Sequence, residues 1–117
     1  MARSAVTVNQ ALWNAEVAVV KDAVDIANDH SIDVSNTSCT KLTVLIEKSD
    51  TKASTFTFKA GDYSSASQGD LVVTGGEVGT VVLNLETARF KDSDGLILID
   101  VVSTAGAAGN IIAIAHN

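Results

Sequence analysis

Residues 41–48, KLTVLIEK, and 54–59, STFTFK, decide the fold. In the first stretch Leu42, Val44 and Ile46 fall on one side of an extended chain, and Thr43, Leu45 and Glu47 on the other. In the second, Phe56 and Phe58 alternate with threonines. Side chains along a strand point to opposite faces in turn, so a period of two marks a half-buried strand. Ser49-Asp50-Thr51-Lys52 between them is polar and turn-forming. The pair is read as a hairpin with its phenylalanines turned inward.

Outward from this pair the same alternation recurs. Residues 31–35 place Ile32 and Val34 on one face, and 79–85 do so with Val81, Leu83 and Leu85. DLVVT at 70–74 ends in Gly75-Gly76, and LILIDVV at 96–102 is the most apolar run, with Asp100 on its polar face. Asp92-Ser93-Asp94-Gly95 before it is a strong turn signal, and 111–115 reads as the last strand. Residues 60–69 form a loop of small residues holding the single tyrosine, Tyr63. Residues 11–28 fit two templates: Leu12, Ala15, Val19, Ala23 and Ile26 have helical spacing, while Trp13, Ala15, Val17 and Val19 alternate. Four valines and the lack of a capping residue before Ala11 favour a strand. Residues 1–10, with Val6 and Val8 alternating, read as an extended N-terminal arm outside the core.

The expectation is one all-β domain over 11–117, a sandwich or small barrel of jelly-roll type, carrying an arm at 1–10. Composition agrees with it: Val, Ile and Thr make up 34 of the 117 residues, and such β-branched side chains suit a pleated surface. There is no proline, where average usage gives about six. Sheet edges then lack one of their ordinary guards and must be charged, covered or used. The formal charge of -6 argues against nucleic acid as a partner, because phosphate binding needs a basic footprint. No run of apolar residues is long enough for a membrane helix, and MARSAV does not read as a secretory signal.

The chemistry-bearing residues are few and scattered. A single cysteine, Cys39, excludes an intrachain disulfide, and with only His30 and His116 beside it no metal centre or other cofactor is expected. Asp29-His30-Ser31 has the residue types of a nucleophilic triad, but neighbours in an extended chain diverge and do not converge. Asp92–Gly95 begins like a calcium loop, yet its glycine comes too early and the twelfth position, Ser103, is no acid. Gly75–Gly79 lacks the strand-to-helix setting of a phosphate loop. No catalytic residue is assigned, and the chain is read as a non-enzyme.

Several segments together carry a resemblance: MARSAVTVNQ, KLTVLIEKSDTKASTFTFKAGD, QGDLVV, ETARFKDSDGLILID and GNIIAIAHN. From Ala5 to about Ala115 the chain resembles a family of small decoration, or cement, proteins of tailed-bacteriophage capsids. The distinctive parts are Lys59-Ala60-Gly61-Asp62, Gln68-Gly69-Asp70-Leu71 and Glu86-Thr87-Ala88-Arg89-Phe90. The chain departs from those relatives in carrying no proline in the loop after Asp62 or near its N-terminus. The resemblance implies a structural virion protein, made in the bacterial cytoplasm, that binds the outside of the shell as a homotrimer. Its partner would be the major capsid protein, with neither nucleic acid nor membrane involved. Candidate partner-binding residues are Val6 and Val8, as an added strand, Arg89 as an anchor, and Trp13 and Phe90 as large side chains that lie either in trimer contacts or in the core. Alternative readings are a tail tube, terminator or fibre subunit, or a carbohydrate-binding or cell-surface-binding sandwich.

Overall fold

A computed structural model describes residues 3–11, 14–35, 41–49, 54–63, 67–75, 79–103 and 108–116. The strands are β1 (Ser4–Val6), β2 (Val8–Gln10), β3 (Asp22–Ala23), β4 (His30–Asp33), β5 (Lys41–Lys48), β6 (Ser54–Phe58), β7 (Leu71–Gly75), β8 (Gly79–Glu86), β9 (Leu96–Ser103) and β10 (Gly109–His116). One helical turn, α1 (Thr87–Phe90), separates β8 from β9. They form two sheets, one ordered β1-β4-β9-β6-β7 and the other β2-β10-β5-β8, with β3 also on β10. The β1–β4 and β2–β10 pairs are parallel and the rest antiparallel. The architecture is a sandwich of two mixed sheets, not a closed barrel.

The predicted facing of the central strands is borne out. Leu42, Val44 and Ile46 of β5 are buried from one sheet, and Phe56 and Phe58 of β6 from the other. Ile32, Ile97, Ile99, Ile111, Ala113 and Ala115 complete the centre, every second residue of their strands. The hairpin is overturned, because β5 pairs with β10 and β8 while β6 pairs with β9 and β7. Alternation fixes which face is buried but not which strand lies alongside. The connecting residues also lack the glycine or asparagine that a tight hairpin needs for positive φ. The two strands therefore lie in different sheets, each turning its apolar side to the core.

The N-terminal arm is likewise corrected. Residues 4–10 are a strand of each sheet, joined through Thr7, and Val6 lies in the core with 3% exposure. Two parallel pairings hold them, and side chains finish the work. Arg3 donates to the carbonyls of His30 and Ile99 and to Asp100 Oδ1 at 2.7 Å. Thr7 N–H donates to Asp22 at 2.7 Å. Asn9 bonds Val20 through both its amide atoms and also donates to the Ala113 carbonyl. Residues 14–21 thus lie against the outer side of β10 and form neither the strand nor the helix that 11–28 allowed. Among the described residues only Asp22–Ala23 is a strand there, and Ala15, Val17 and Val19 line a cleft of about 220 Å³ with Asn9, Ala11 and Ile114.

His30, fully buried, ties β1 to this region. Its Nε2 accepts the Asp25 N–H at 2.8 Å, which leaves the proton on Nδ1 to reach the Ser4 carbonyl at 3.2 Å. Burial pushes the imidazole pKa down, against the pull of the Ser4 carbonyl and of Asp25, Asp22 and Asp29. The Ser4 hydroxyl and the Asn28 side chain hold the Asp25 carboxyl well below its usual range. Asp29 points elsewhere, accepting the Val101 N–H, so Asp29-His30-Ser31 builds strand contacts and no triad. The turn at 92–95 is as read: Asp92 Oδ1 accepts the N–H groups of Asp94 and Leu96. Gly95 has φ +80°, and a Cβ there would come within 2.7 Å of Ser35 Cβ.

Candidate protein-binding edge

The two sheets share one side at β1 and β2, and their opposite edges are β7 and β8. Which main-chain groups these edges leave free follows from two hydrogen bonds. Ser49 N–H donates to the Ala108 carbonyl, so in β5 the odd-numbered residues turn their backbone toward β10 and the even-numbered ones toward β8. Lys48, Ile46, Val44 and Leu42 therefore bond Gly79, Val81, Leu83 and Leu85. Thr80, Val82 and Asn84 present their N–H and C=O groups outward, while the Glu86 carbonyl, at the N-cap of α1, serves the helical turn. The Lys59 N–H to Leu98 carbonyl bond sets the same alternation in the other sheet, which leaves Val72 and Thr74 of β7 outward.

The side chains on this edge are nearly uncharged. Val72 and Val82 are 57% and 59% exposed, and Val102 on the outer face of β9 is 72% exposed. In register, Thr55 stands between Val102 and Thr74, and Thr57 between Asp100 and Val72. Glu86 is the one charged residue of β7 and β8, and Lys41 of β5 stands directly opposite it in register. Beside it Gln68, Leu71, Asn84, Leu85, Arg89 and Phe90 line a hollow of about 110 Å³. The inward residues are unfinished too: Leu71, Val73 and Leu83 pack on the core but stay only partly buried. β7 ends the path β1-β4-β9-β6-β7 and β8 ends the path β2-β10-β5-β8. A free ladder, exposed valines and partly covered leucines on one side make a surface fitted to accept an extended chain.

The candidate residues read from sequence are placed differently. Val6 and Phe90 are core residues at 3% exposure each, so neither face is available to a partner. The sequence leaves Phe90 either a contact residue or a core residue; α1 turns it inward, edge-on to Phe58 at 6.3 Å. Val8 is half-buried against the core. Arg89 lies 4.8 Å over the Phe90 ring and donates to the Gly69 carbonyl, holding the 67–70 segment to α1. Gly61 meets the same turn closely, donating to the Arg89 carbonyl, where a Cβ would strike the Lys91 carbonyl. Trp13 and Cys39 lie outside the described residues. The edge itself was legible only as a composition: a proline-free chain with no lysine inside 71–86.

Among the described residues no group of three or more His, Cys, Asp or Glu is placed to hold a metal ion, and no helix is long and apolar enough to cross a membrane. No protein-family model matches the chain, and neither a curated protein nor a solved structure is similar to it.

Proposed function

We propose that this protein is a structural component of a tailed-bacteriophage virion, binding the outer surface of the capsid and bridging neighbouring shell subunits. The observation that carries the reading is the likeness of segments from Ala5 to about Ala115 to capsid decoration proteins. The sandwich supplies a physical means. A rigid body with one side closed by its own side chains and the other left as an uncharged ladder can add to a neighbour without any chemistry. Many copies on one shell would each gain from the neighbours' contacts. The likeness implies a trimer as the bound form.

The test is the mass of the purified protein by light scattering, followed by co-sedimentation with shells assembled without it. Saturable binding with three copies per site is the expected result. A ring or filament in place of shell binding would move the protein to the tail. A monomer that ignores shells but binds a glycan array would make it a sugar-recognising sandwich.

A further inference from the structure

We infer that residues 24–29 form an acid-operated flap: a proton on His30 turns this segment away from the core, uncovers Val24 and Ile26 and slackens the Ser4 end of β1, while the rest of the sandwich stays paired. The inference goes beyond the proposed role in a virion and does not depend on it.

The segment is held at its two ends. Before it, β3 pairs only two residues with β10, and the Val24 N–H donates to the Gly109 carbonyl. At its far end Asp29 accepts the Val101 N–H and leads into β4. Between these anchors the Asp25 carboxylate shapes the turn. Its Oδ1 accepts the N–H groups of Ala27 and Asn28, and its Oδ2 accepts the Ser4 hydroxyl and the Asn28 side-chain amide. Val24 and Ile26 pack on the core but are only partly buried. The closed form is not fully satisfied. Asn28 Oδ1 is buried and finds no donor among the described residues, and Asp29 sits at φ +61° without being glycine.

His30 supplies the switch. A neutral imidazole has one donor and one acceptor, and both are used: Nε2 by the Asp25 N–H and Nδ1 by the Ser4 carbonyl. An imidazolium has two donors and no acceptor. Its Nε2–H would meet the Asp25 N–H head on, leaving two buried donors unpaired. Turning residue 25 away removes that conflict and undoes its hydroxyl bond to Ser4 as well. The charged groups around the ring are Asp22, Asp25 and Asp29 from the segment, Arg3 beside β1, which bonds the His30 carbonyl, and Asp100 of β9, which pairs with Arg3. β6 offers only Phe58 in the same row. The three carboxylates of the segment favour the imidazolium, whereas burial holds the closed ring neutral. The open form is therefore the better base, and a falling pH shifts the population toward it.

The experiment uses the whole protein, isotope-labelled, and follows the imidazole nitrogens and the backbone amides by nuclear magnetic resonance between pH 8 and about 5. At the upper end the His30 proton should sit on Nδ1, with Nε2 bare. On acidification the ring should take its second proton in the step in which Asp25, Ala27 and Asn28 lose amide protection roughly tenfold or more, after allowance for the intrinsic pH dependence of exchange. A soluble nitroxide should then broaden the Val24 and Ile26 methyls, while the amides of Val44 and Ile46 in β5 keep their protection. His30→Gln keeps one donor and one acceptor and should stay closed throughout. Ser4→Ala leaves the histidine but removes one bond to the closed turn, and should move the step to higher pH. A resting proton on Nε2, a ring that titrates without loss of protection at Asp25, opening of the glutamine variant at the same pH, or an unmoved step in Ser4→Ala would overturn the inference. So would loss of protection in β5 in the same step, because the sandwich would then be opening as one unit.

Discussion

The two lateral sides of the sandwich solve the same problem in opposite ways. On the N-terminal side the edges are short, three residues each for β1 and β2 and two for β3, and they are covered. Arg3, Asn9, Gln10 and Asp22 supply side-chain partners to the backbone there, and residues 14–21 lie across it. On the other side β7 runs five residues and β8 eight, with no lysine, no proline and no covering segment among the described residues. Edge strands are hazards that proteins ordinarily blunt. One side is covered in this way, and the other is left longer and without such cover among the described residues.

The largest test of this contrast removes residues 1–9. If the N-terminal side is integral, the truncation takes away Val6, Arg3 and Asn9 together, opens the core, and the cooperative thermal transition should vanish by circular dichroism. A truncated protein that still melts cooperatively would make β1 and β2 an appendage, and the contrast between the sides would collapse. A smaller effect separates two neighbouring positions on β8. Val81→Pro removes an N–H that bonds β5 and should cost about 3 kcal/mol or more, whereas Val82→Pro removes an outward N–H and should cost less than about 1 kcal/mol. Urea melts of the two variants check this. Equal losses would mean the outward alternation assigned to β8 is wrong.

What the sequence revealed and what it hid divide along the same physical line. Burial direction is local: the alternation in 41–48 and 54–59 put Leu42, Val44, Ile46, Phe56 and Phe58 inward, as found. Partnership is not local. The same alternation serves two strands side by side or face to face across a core, so the hairpin was a natural misreading. Val6 and Val8 alternate as any short strand does, and nothing in MARSAVTVNQ announces that Thr7 carries the chain from one sheet to the other. In 11–28 the valines were read as strand, but a sheet-forming composition does not make a ladder when Asn9 already holds the Val20 backbone. The open side was invisible for a different reason: an edge is defined by what fails to pair, and one chain's sequence does not say which strand comes last. The missing proline was the one trace of it.

The smallest effect sharpens the contrast through pH. Neutral His30 is locked by two bonds of opposite sense, Nε2 accepting from Asp25 and Nδ1 facing the Ser4 carbonyl. Protonation sets an N–H against the Asp25 N–H and breaks the link between β4 and the segment before it. Because burial lowers the folded pKa below the ordinary 6.5, the unfolded chain takes up the proton first as the pH falls. The stabilisation is therefore complete above 6.5 and is lost as the pH drops below it toward the folded pKa. Asp25 adds a second window of the same sign lower down: its carboxyl, depressed in the fold, contributes above 3.8 and loses its contribution as the pH falls further. Between pH 8 and about 5 the first window alone should operate. Denaturation midpoints should decline below 6.5 in the wild type and stay level in His30→Gln, whose amide can keep a donor and an acceptor without titrating. Amide exchange should quicken first at Ser4–Val6 and Asp25, while Val81 and Leu83 hold their protection. A flat wild-type profile would remove the histidine lock. Simultaneous loosening of β8 would mean that the two sides open as one unit and that the N-terminal side is not separately secured.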